Sequence, residues 1–212
     1  MFNAEGDFFG VLAKSYRNTI EISDYASSIL AHCSFPTYKT QPIIRHGEPV
    51  KFLCVAALEG ENSVERKETD RKSDTQTSQG ADLWKAESQS VLAETRMIQL
   101  AASEIKKWQS KGYDTIAVIC KDEAKTDVVR EALRQYIELN SESLETTEFT
   151  RGVMVLPIHM TKGLEFDTVL LMDPSKEAYP KNDANAKLLY VAATRALHEL
   201  TIVYNESLSE LL

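Results

Sequence analysis

Three groups of residues in this chain have the types and spacing to handle a phosphate-bearing ligand. His159-Met-Thr-Lys-Gly-Leu-Glu-Phe-Asp167 packs an imidazole, an ammonium, a glycine and two carboxylates into nine residues. Lys162 and Gly163 can offer a cation and a backbone N–H to a phosphate, because glycine has no Cβ to hold the ligand off. Glu165 can accept from a ribose hydroxyl. Tyr16-Arg17 sets a ring that can stack on a base beside a guanidinium that can fork a phosphate. Arg195 closes the run Tyr190-Val-Ala-Ala-Thr-Arg195, and its planar fork could reach out of a sheet toward a phosphate. Each group also has a plain structural reading. The first is then a polar loop of solvated charges, Arg195 compensates the partial negative charge of a helix C-terminus, and Arg17 is an ordinary residue standing before a capped helix.

Choosing between these readings depends on the elements that hold the residues. Asn18-Thr-Ile-Glu21 has the N-cap and third-position acid of a capping box, followed by Ile22, Tyr25, Ala26, Ile29 and Leu30 at helical spacing. Val91, Thr95, Ile98, Ala102, Ile105 and Trp108 form the stripe of a long amphipathic helix stopped at Gly112. Asp122 can cap a helix with the stripe Val128, Val129, Ala132, Leu133 and Tyr136. Asn185 to Leu197 reads as a further helix, which places Arg195 late in it. Strands are expected near 51–56, 115–120, 153–157, 168–172 and 200–204. The run Thr115-Ile-Ala-Val-Ile-Cys120 is apolar without alternation, as in a strand covered on both faces. Strands of this kind separated by helices predict a three-layer α/β domain with a mainly parallel sheet. Such sheets bind ligands beyond the carboxyl ends of their strands, so the chemistry is expected there.

Other features narrow the function. The sequence has no GxxxxGK[ST] phosphate loop, HExxH, GxSxG or CxxC, so nothing in it builds a complete hydrolytic site. His32, His46, His159 and His198 lack metal-ligand spacing. Cys33, Cys54 and Cys120 are odd in number and far apart, which fits neither a disulfide framework nor a zinc knuckle. Cys54 and Cys120 sit in apolar runs and are expected to be reduced packing residues. No run approaches the roughly 20 apolar residues of a membrane span. The first residues have no basic and apolar secretion signal, and a cytoplasmic location is expected. The net charge of −8 over 212 residues argues against a generic basic nucleic-acid coat, while leaving room for a local basic groove. Residues 59 to 82 contain Val64 as their one sizeable aliphatic residue, and a mobile loop is expected over about 59–87. The acidic stretch 138–150 reads as a second exposed connection.

Taken together and in order, four strings carry more than each does alone. Ser15-Tyr-Arg-Asn-Thr19, Thr115-Ile-Ala-Val118, His159 to Asp167 and Leu189-Tyr-Val-Ala-Ala-Thr-Arg-Ala196 make the chain resemble the second RecA-like motor domain of superfamily 1 helicases of the UvrD/Rep type. Gly47-Glu48-Pro49 and Tyr179-Pro180 are smaller echoes of the same pattern. The opening with Phe8-Phe9-Gly10 and the contexts Leu188-Leu189-Tyr190 and Leu197-His198-Glu199-Leu200 look most like the HelD branch. The resemblance spans residues 1–212 and implies a P-loop NTPase-like fold. By it, Tyr16 stacks on adenine, and Arg17 and Arg195 reach across a domain cleft to the γ-phosphate. Gly163 and Glu165 couple nucleotide to DNA, with Glu165 near the ribose, while His159 and Lys162 meet the single-strand backbone. ATP and Mg2+ are the implied cofactors, with the phosphate loop and magnesium ligands on a first motor domain that these residues do not contain. Single-stranded DNA and that N-terminal motor domain are the implied partners, and the chain is expected to be inactive alone. Two departures stand out. Pro157 occupies a position where many relatives have a phosphate-binding threonine, and residues 138–150 replace a large accessory-domain insertion. Two other function classes stay open: a HelD-type ATPase that acts on RNA polymerase, and a non-catalytic regulatory module of helicase fold.

Overall fold

Continuous apolar runs become the central strands, and amphipathic stripes become the helices that cover them. The computed structural model describes residues 14–15, 17–34, 41–42, 45–56, 78–140 and 151–212. A short parallel ribbon pairs β1 (Lys14–Ser15) with β2 (Gln41–Pro42), on either side of helix α1 (Ile20–Leu30) in the chain. The main sheet contains β3 (Lys51–Cys54), β4 (Thr115–Cys120), β5 (Gly152–Pro157), β6 (Phe166–Met172) and β7 (Ala196–Tyr204). Its order is β3-β7-β6-β4-β5, and every neighbouring pair is parallel. Helices α2 (Ser78–Ser110), α3 (Glu123–Arg134) and α4 (Asp183–Ala193) also pack in the domain. The expected three-layer α/β architecture with a parallel sheet is the one observed.

Both faces of the sheet are covered, so alternate residues of one strand feed two cores. Ala117 and Ile119 of β4 and Val169 and Leu171 of β6 face α1 and α4, together with Ile22, Ile29 and Leu189. Ile116, Val118 and Cys120 of β4 and Leu170 and Met172 of β6 face α2 and α3, together with Ile105, Trp108 and Leu133. This explains why β4 reads as apolar throughout. Burial pushes the Cys120 thiol up to about 12, while Cys54 is half-buried and its Sγ donates to the Asn205 carbonyl at 3.1 Å.

Several expectations are corrected by the structure. The cap of α1 is Thr19, whose Oγ1 accepts from the Ile22 N–H, and Asn18 is released for another use. Glu21 does not close the box either. Its carboxylate accepts from the Gly47 N–H at 2.9 Å and meets His46 Nδ1 at 3.0 Å. Helix α4 ends at Ala193, with Thr194 as its C-cap, so Arg195 lies on the link into β7. Pairing with β6 has already begun there: the Phe166 N–H donates to the Arg195 carbonyl at 3.0 Å. Residues 78–87, expected in a loop, belong to α2. Ala81, Leu83, Lys85, Ala86 and Glu87 are strong helix formers, and composition drew the boundary too late. The rest of that expected loop, 59–77, and residues 141–150 of the acidic connection lie outside the described residues.

Helix α2 is about 50 Å long at 1.5 Å per residue, more than twice the length of a seven-residue strand. Its early turns therefore overrun the sheet. Val91 and Leu92 are exposed there, as is Val128 of α3, where the sequence placed Val91 and Val128 in buried stripes. From residue 89 onward, the first buried residue of α2 is Met97. Gly112 ends this helical run with φ 86° and an N–H bond to Gln109 O at 3.1 Å.

The C-terminal end of α2 is pinned to β7 by Glu199. This buried carboxylate accepts from the Trp108 indole N–H at 2.9 Å, from Lys111 Nζ at 2.6 Å and from the Tyr113 hydroxyl at 3.1 Å. Burial alone would raise its pKa, but the bonds from Lys111, Trp108 and Tyr113 outweigh that and hold it below the usual glutamate range. A carboxylate with a depressed folded pKa contributes stability above its unfolded pKa, near 4.3, and loses it as pH falls through the folded value. Glu199→Gln should therefore lower unfolding free energy by about 1–3 kcal/mol at pH 7. Urea titrations should show the gap between wild type and variant narrowing as pH drops below about 4.

Candidate nucleotide-responsive site

The link between β5 and β6 is eight residues long and crosses from one end of the sheet to the other. It leaves β5 at its carboxyl end as a 3-10 turn, Ile158–Thr161, and delivers the chain to the amino end of β6 at Phe166. Ile158 and Thr161 are buried on the α1 and α4 side, and the Thr161 hydroxyl donates to the Ile158 carbonyl at 2.7 Å. Gly163 then turns the chain at φ 84°, with no atom within 4 Å of where a Cβ would stand. Its glycine is thus required by backbone conformation, not by crowding. Pro157 caps the 3-10 turn in extended conformation while pairing with Cys120 of β4.

This crossover splits the sequence motif between two ends of the sheet. His159 and Lys162 are exposed on the 3-10 turn and its C-cap. His159 Nε2 stands 3.7 Å from the carboxylate of Glu123 at the start of α3, beyond the carboxyl end of β4. Glu165 sits at the other end, one residue before β6. There it meets Arg17, whose Nε is 2.6 Å from Glu165 Oε1. The Arg17 and Glu165 side chains are 47% and 38% exposed, so the pair is open to solvent.

Arg195 completes the cluster in a different state. It is 9% exposed, and three of its donors are engaged by the domain itself. Nε donates to Val191 O at 3.0 Å, Nη1 to Leu164 O at 2.9 Å and Nη2 to Thr194 Oγ1 at 3.3 Å. A guanidinium carries five N–H donors, so two remain for a ligand. Burial lowers its pKa first, the adjacent Arg17 charge lowers it further, and Glu165 opposes both. The structure thus brings Arg17, Glu165 and Arg195 together at the amino ends of β6 and β7, not beyond the carboxyl ends where the sheet rule pointed. Two guanidiniums with one carboxylate make a local surplus of positive charge on an acidic domain. Tyr16 lies outside the described residues.

Asp167, the last residue of the motif, is scaffolding. Its Oδ2 accepts from the N–H groups of Asp114 and Thr115 at 3.0 and 2.9 Å, and its own N–H donates to Thr115 Oγ1 at 2.8 Å. Burial raises its pKa, but the bonds from Thr115 and Asp114 and the nearby His198 bring it below the usual aspartate range. Sequence reasoning missed two residues that assemble the site. Asn18 and Arg45 each tie the Arg17 segment to the start of β7. Asn18 Nδ2 donates to Thr194 O at 3.0 Å and Ala196 O at 2.5 Å. Arg45 Nη2 donates to Arg17 O at 3.2 Å and to Leu197 O. A register shift between β6 and β7 at this point puts the extra residue in β7, where Phe166 pairs with Ala196 but Thr168 with Glu199. Bulges leave ladder carbonyls without strand partners, and here the side chains of Asn18 and Arg45 take them. Gly47 fits the same junction closely: a Cβ there would stand 2.5 Å from Thr19 Cγ2. The signal in the sequence was only an Asn after Arg17, which reads first as a helix cap.

Comparison with known proteins gives one family match and a likeness of fold. Residues 152–203 match the family model of the UvrD-like helicase C-terminal domain. That span holds the crossover, α4 and Arg195, and leaves Arg17 outside. No curated protein matches the chain. Among solved structures, the chain is similar to the C-terminal domain of a possible DNA helicase from Lactobacillus plantarum WCFS1, with 24% identity and a TM-score of 0.62. The match covers 93% of this chain and 91% of that one, and at this identity it is a likeness of fold. Among the described residues, no three His, Cys, Asp or Glu side chains stand together to hold a metal ion, and no helix is long and apolar enough to cross a membrane.

The crossover makes a direct prediction. Gly163→Ala should destabilise the domain by about 1–2 kcal/mol, the cost of holding an L-residue in the left-handed region. Gly163→Asn should cost less, since asparagine tolerates that conformation. Urea unfolding of the two variants checks the order.

Proposed function

We propose that this chain is the second motor half of an ATP-driven translocase on single-stranded DNA. In this reading Arg17 and Arg195 face the γ-phosphate across a cleft to a first motor domain. The observation that carries it is the convergence of Arg17, Glu165 and Arg195, from opposite ends of the chain, at the amino ends of β6 and β7. The family match over the crossover and Arg195 supports it, as does the similar fold of a domain named for a DNA helicase.

Bound ATP with Mg2+ supplies the phosphoryl group that passes to water, with the magnesium ligands coming from the first motor domain. Arg195 places its two remaining donors with little reorganisation, because Val191, Leu164 and Thr194 already hold the other three. Donors fixed in advance, where charge grows in the transition state, lower the barrier more than donors that must first be ordered. Arg17 is held differently. Its exposed pairing with Glu165 keeps it near the site while allowing it to turn toward an anion, and Glu165 is then released toward a ribose hydroxyl. Gly163 gives the link carrying Glu165 its turn. Tyr16, next to Arg17, stacks on the base. At the far end of the same crossover, His159 and Lys162 contact the single-strand backbone. Nucleotide and DNA contacts therefore sit on one short segment anchored by Ile158 and Thr161, and movement at one end reaches the other through a few bonds.

Steady-state ATPase of the complete protein, with and without single-stranded DNA, tests this. Arg195→Ala should lower kcat by roughly three orders of magnitude, the range seen for arginines supplied across an interface. The effect should fall on kcat far more than on KM. Arg195→Lys should rescue only in part, since a point charge on a flexible stem does not reproduce the fork. His159→Ala should raise the DNA concentration needed for half-maximal stimulation by roughly ten- to hundredfold, the worth of one charge-assisted backbone contact. Near-normal kcat in Arg195→Ala would leave Arg195 as a structural residue of the helix end. Stimulation by RNA polymerase and not by DNA would favour a polymerase-directed ATPase.

A further inference from the structure

Asn18 does work that neither its place before a helix nor its burial requires. Helix α1 is capped by Thr19, so the helix has no need of the Asn18 side chain. Yet Asn18 is buried, and its amide nitrogen spans the two carbonyls that flank Arg195, at 3.0 Å to Thr194 and 2.5 Å to Ala196. An amide NH2 has two hydrogens, and this geometry uses both. One side chain therefore holds the peptide that enters Arg195 and the peptide that leaves Ala196, and the backbone that carries it also carries Arg17. Arg45 repeats the connection at the surface, from Arg17 O to Leu197 O.

We propose that Asn18 is a positioning residue that fixes the spacing of Arg17 and Arg195, so that the two guanidiniums engage a phosphate as one unit. The proposal rests on the phosphate-binding reading given above. It implies that either arginine loses much of its value when the clasp is cut, though neither has been altered. The residue acts through the arginines and itself touches no ligand.

The test measures kcat and KM for ATP in the complete protein, with single-stranded DNA present. Asn18→Ala and Asn18→Ser are made in the wild type and in Arg17→Lys and Arg195→Lys backgrounds. Serine keeps a polar group at the site, and its single hydroxyl can donate to at most one of the two carbonyls. In the wild type, Asn18→Ala should lower kcat by roughly ten- to hundredfold, the range expected when catalytic groups are displaced by about 1 Å. Asn18→Ser should fall between, and KM should change by less than about threefold. In either lysine background the same substitutions should cost less than about twofold more, because residues that act as a unit are strongly non-additive. The same fold-loss in every background would mean that Asn18 only supports the fold, and would overturn the proposal. If Asn18→Ala does not fold, the serine series decides by the same criterion. If Arg17→Lys and Arg195→Lys both keep normal kcat, the phosphate-binding reading fails and the proposal falls with it. If they lower kcat while the Asn18 effect stays additive, only the proposal fails.

Discussion

The site depends on where β6 and β7 begin to pair. The Phe166 N–H takes the Arg195 carbonyl at 3.0 Å, and that bond sets the residue before β6 beside the residue before β7. Glu165 and Arg195 become neighbours because parallel strands start at the same edge. The bulge one step later leaves carbonyls at Ala196 and Leu197 to the side chains of Asn18 and Arg45. Three segments that are distant in sequence thus meet at one strand start. Removing that register would scatter them without touching a single charged group.

The two arginines then differ by environment, not by type. Arg195 is desolvated and held at three donors, which suits a group that must be in place before the reaction. Arg17 is half exposed with one carboxylate partner, and exposed ion pairs of this kind are worth little. It can exchange Glu165 for a stronger anion at small cost. In the proposed reading, a rigid donor beside an adjustable one suits a site that both senses a phosphate and stabilises its transfer.

Much of this was legible in the sequence, and the reasons are physical. Strands covered on both faces must be apolar at every position, so Thr115 to Cys120 and Thr168 to Met172 announced a parallel sheet between helices. Asp122 capped its helix as its spacing implied, with Oδ1 accepting from the Lys125 N–H at 2.9 Å. Other features could not be read locally. Thr194-Arg195 continues the helical periodicity of Leu188, Leu189 and Ala192, and only tertiary pairing with β6 stops the helix at Ala193. Asn18 and Thr19 are both good caps, and the choice between them was made by carbonyls about 180 residues away. Val91 and Val128 fit their stripes, but a stripe cannot say where the covered sheet ends.

A structure of the complete protein bound to a transition-state mimic of ATP hydrolysis bears most directly on the arginine cluster. Nη atoms of both Arg17 and Arg195 should lie within hydrogen-bond distance, about 2.7–3.2 Å, of the oxygens of the γ-phosphate mimic, with Arg17 no longer on Glu165. Nucleotide bound in the cleft with Arg17 still paired to Glu165, and both guanidiniums beyond reach of the phosphates, would contradict the assignment.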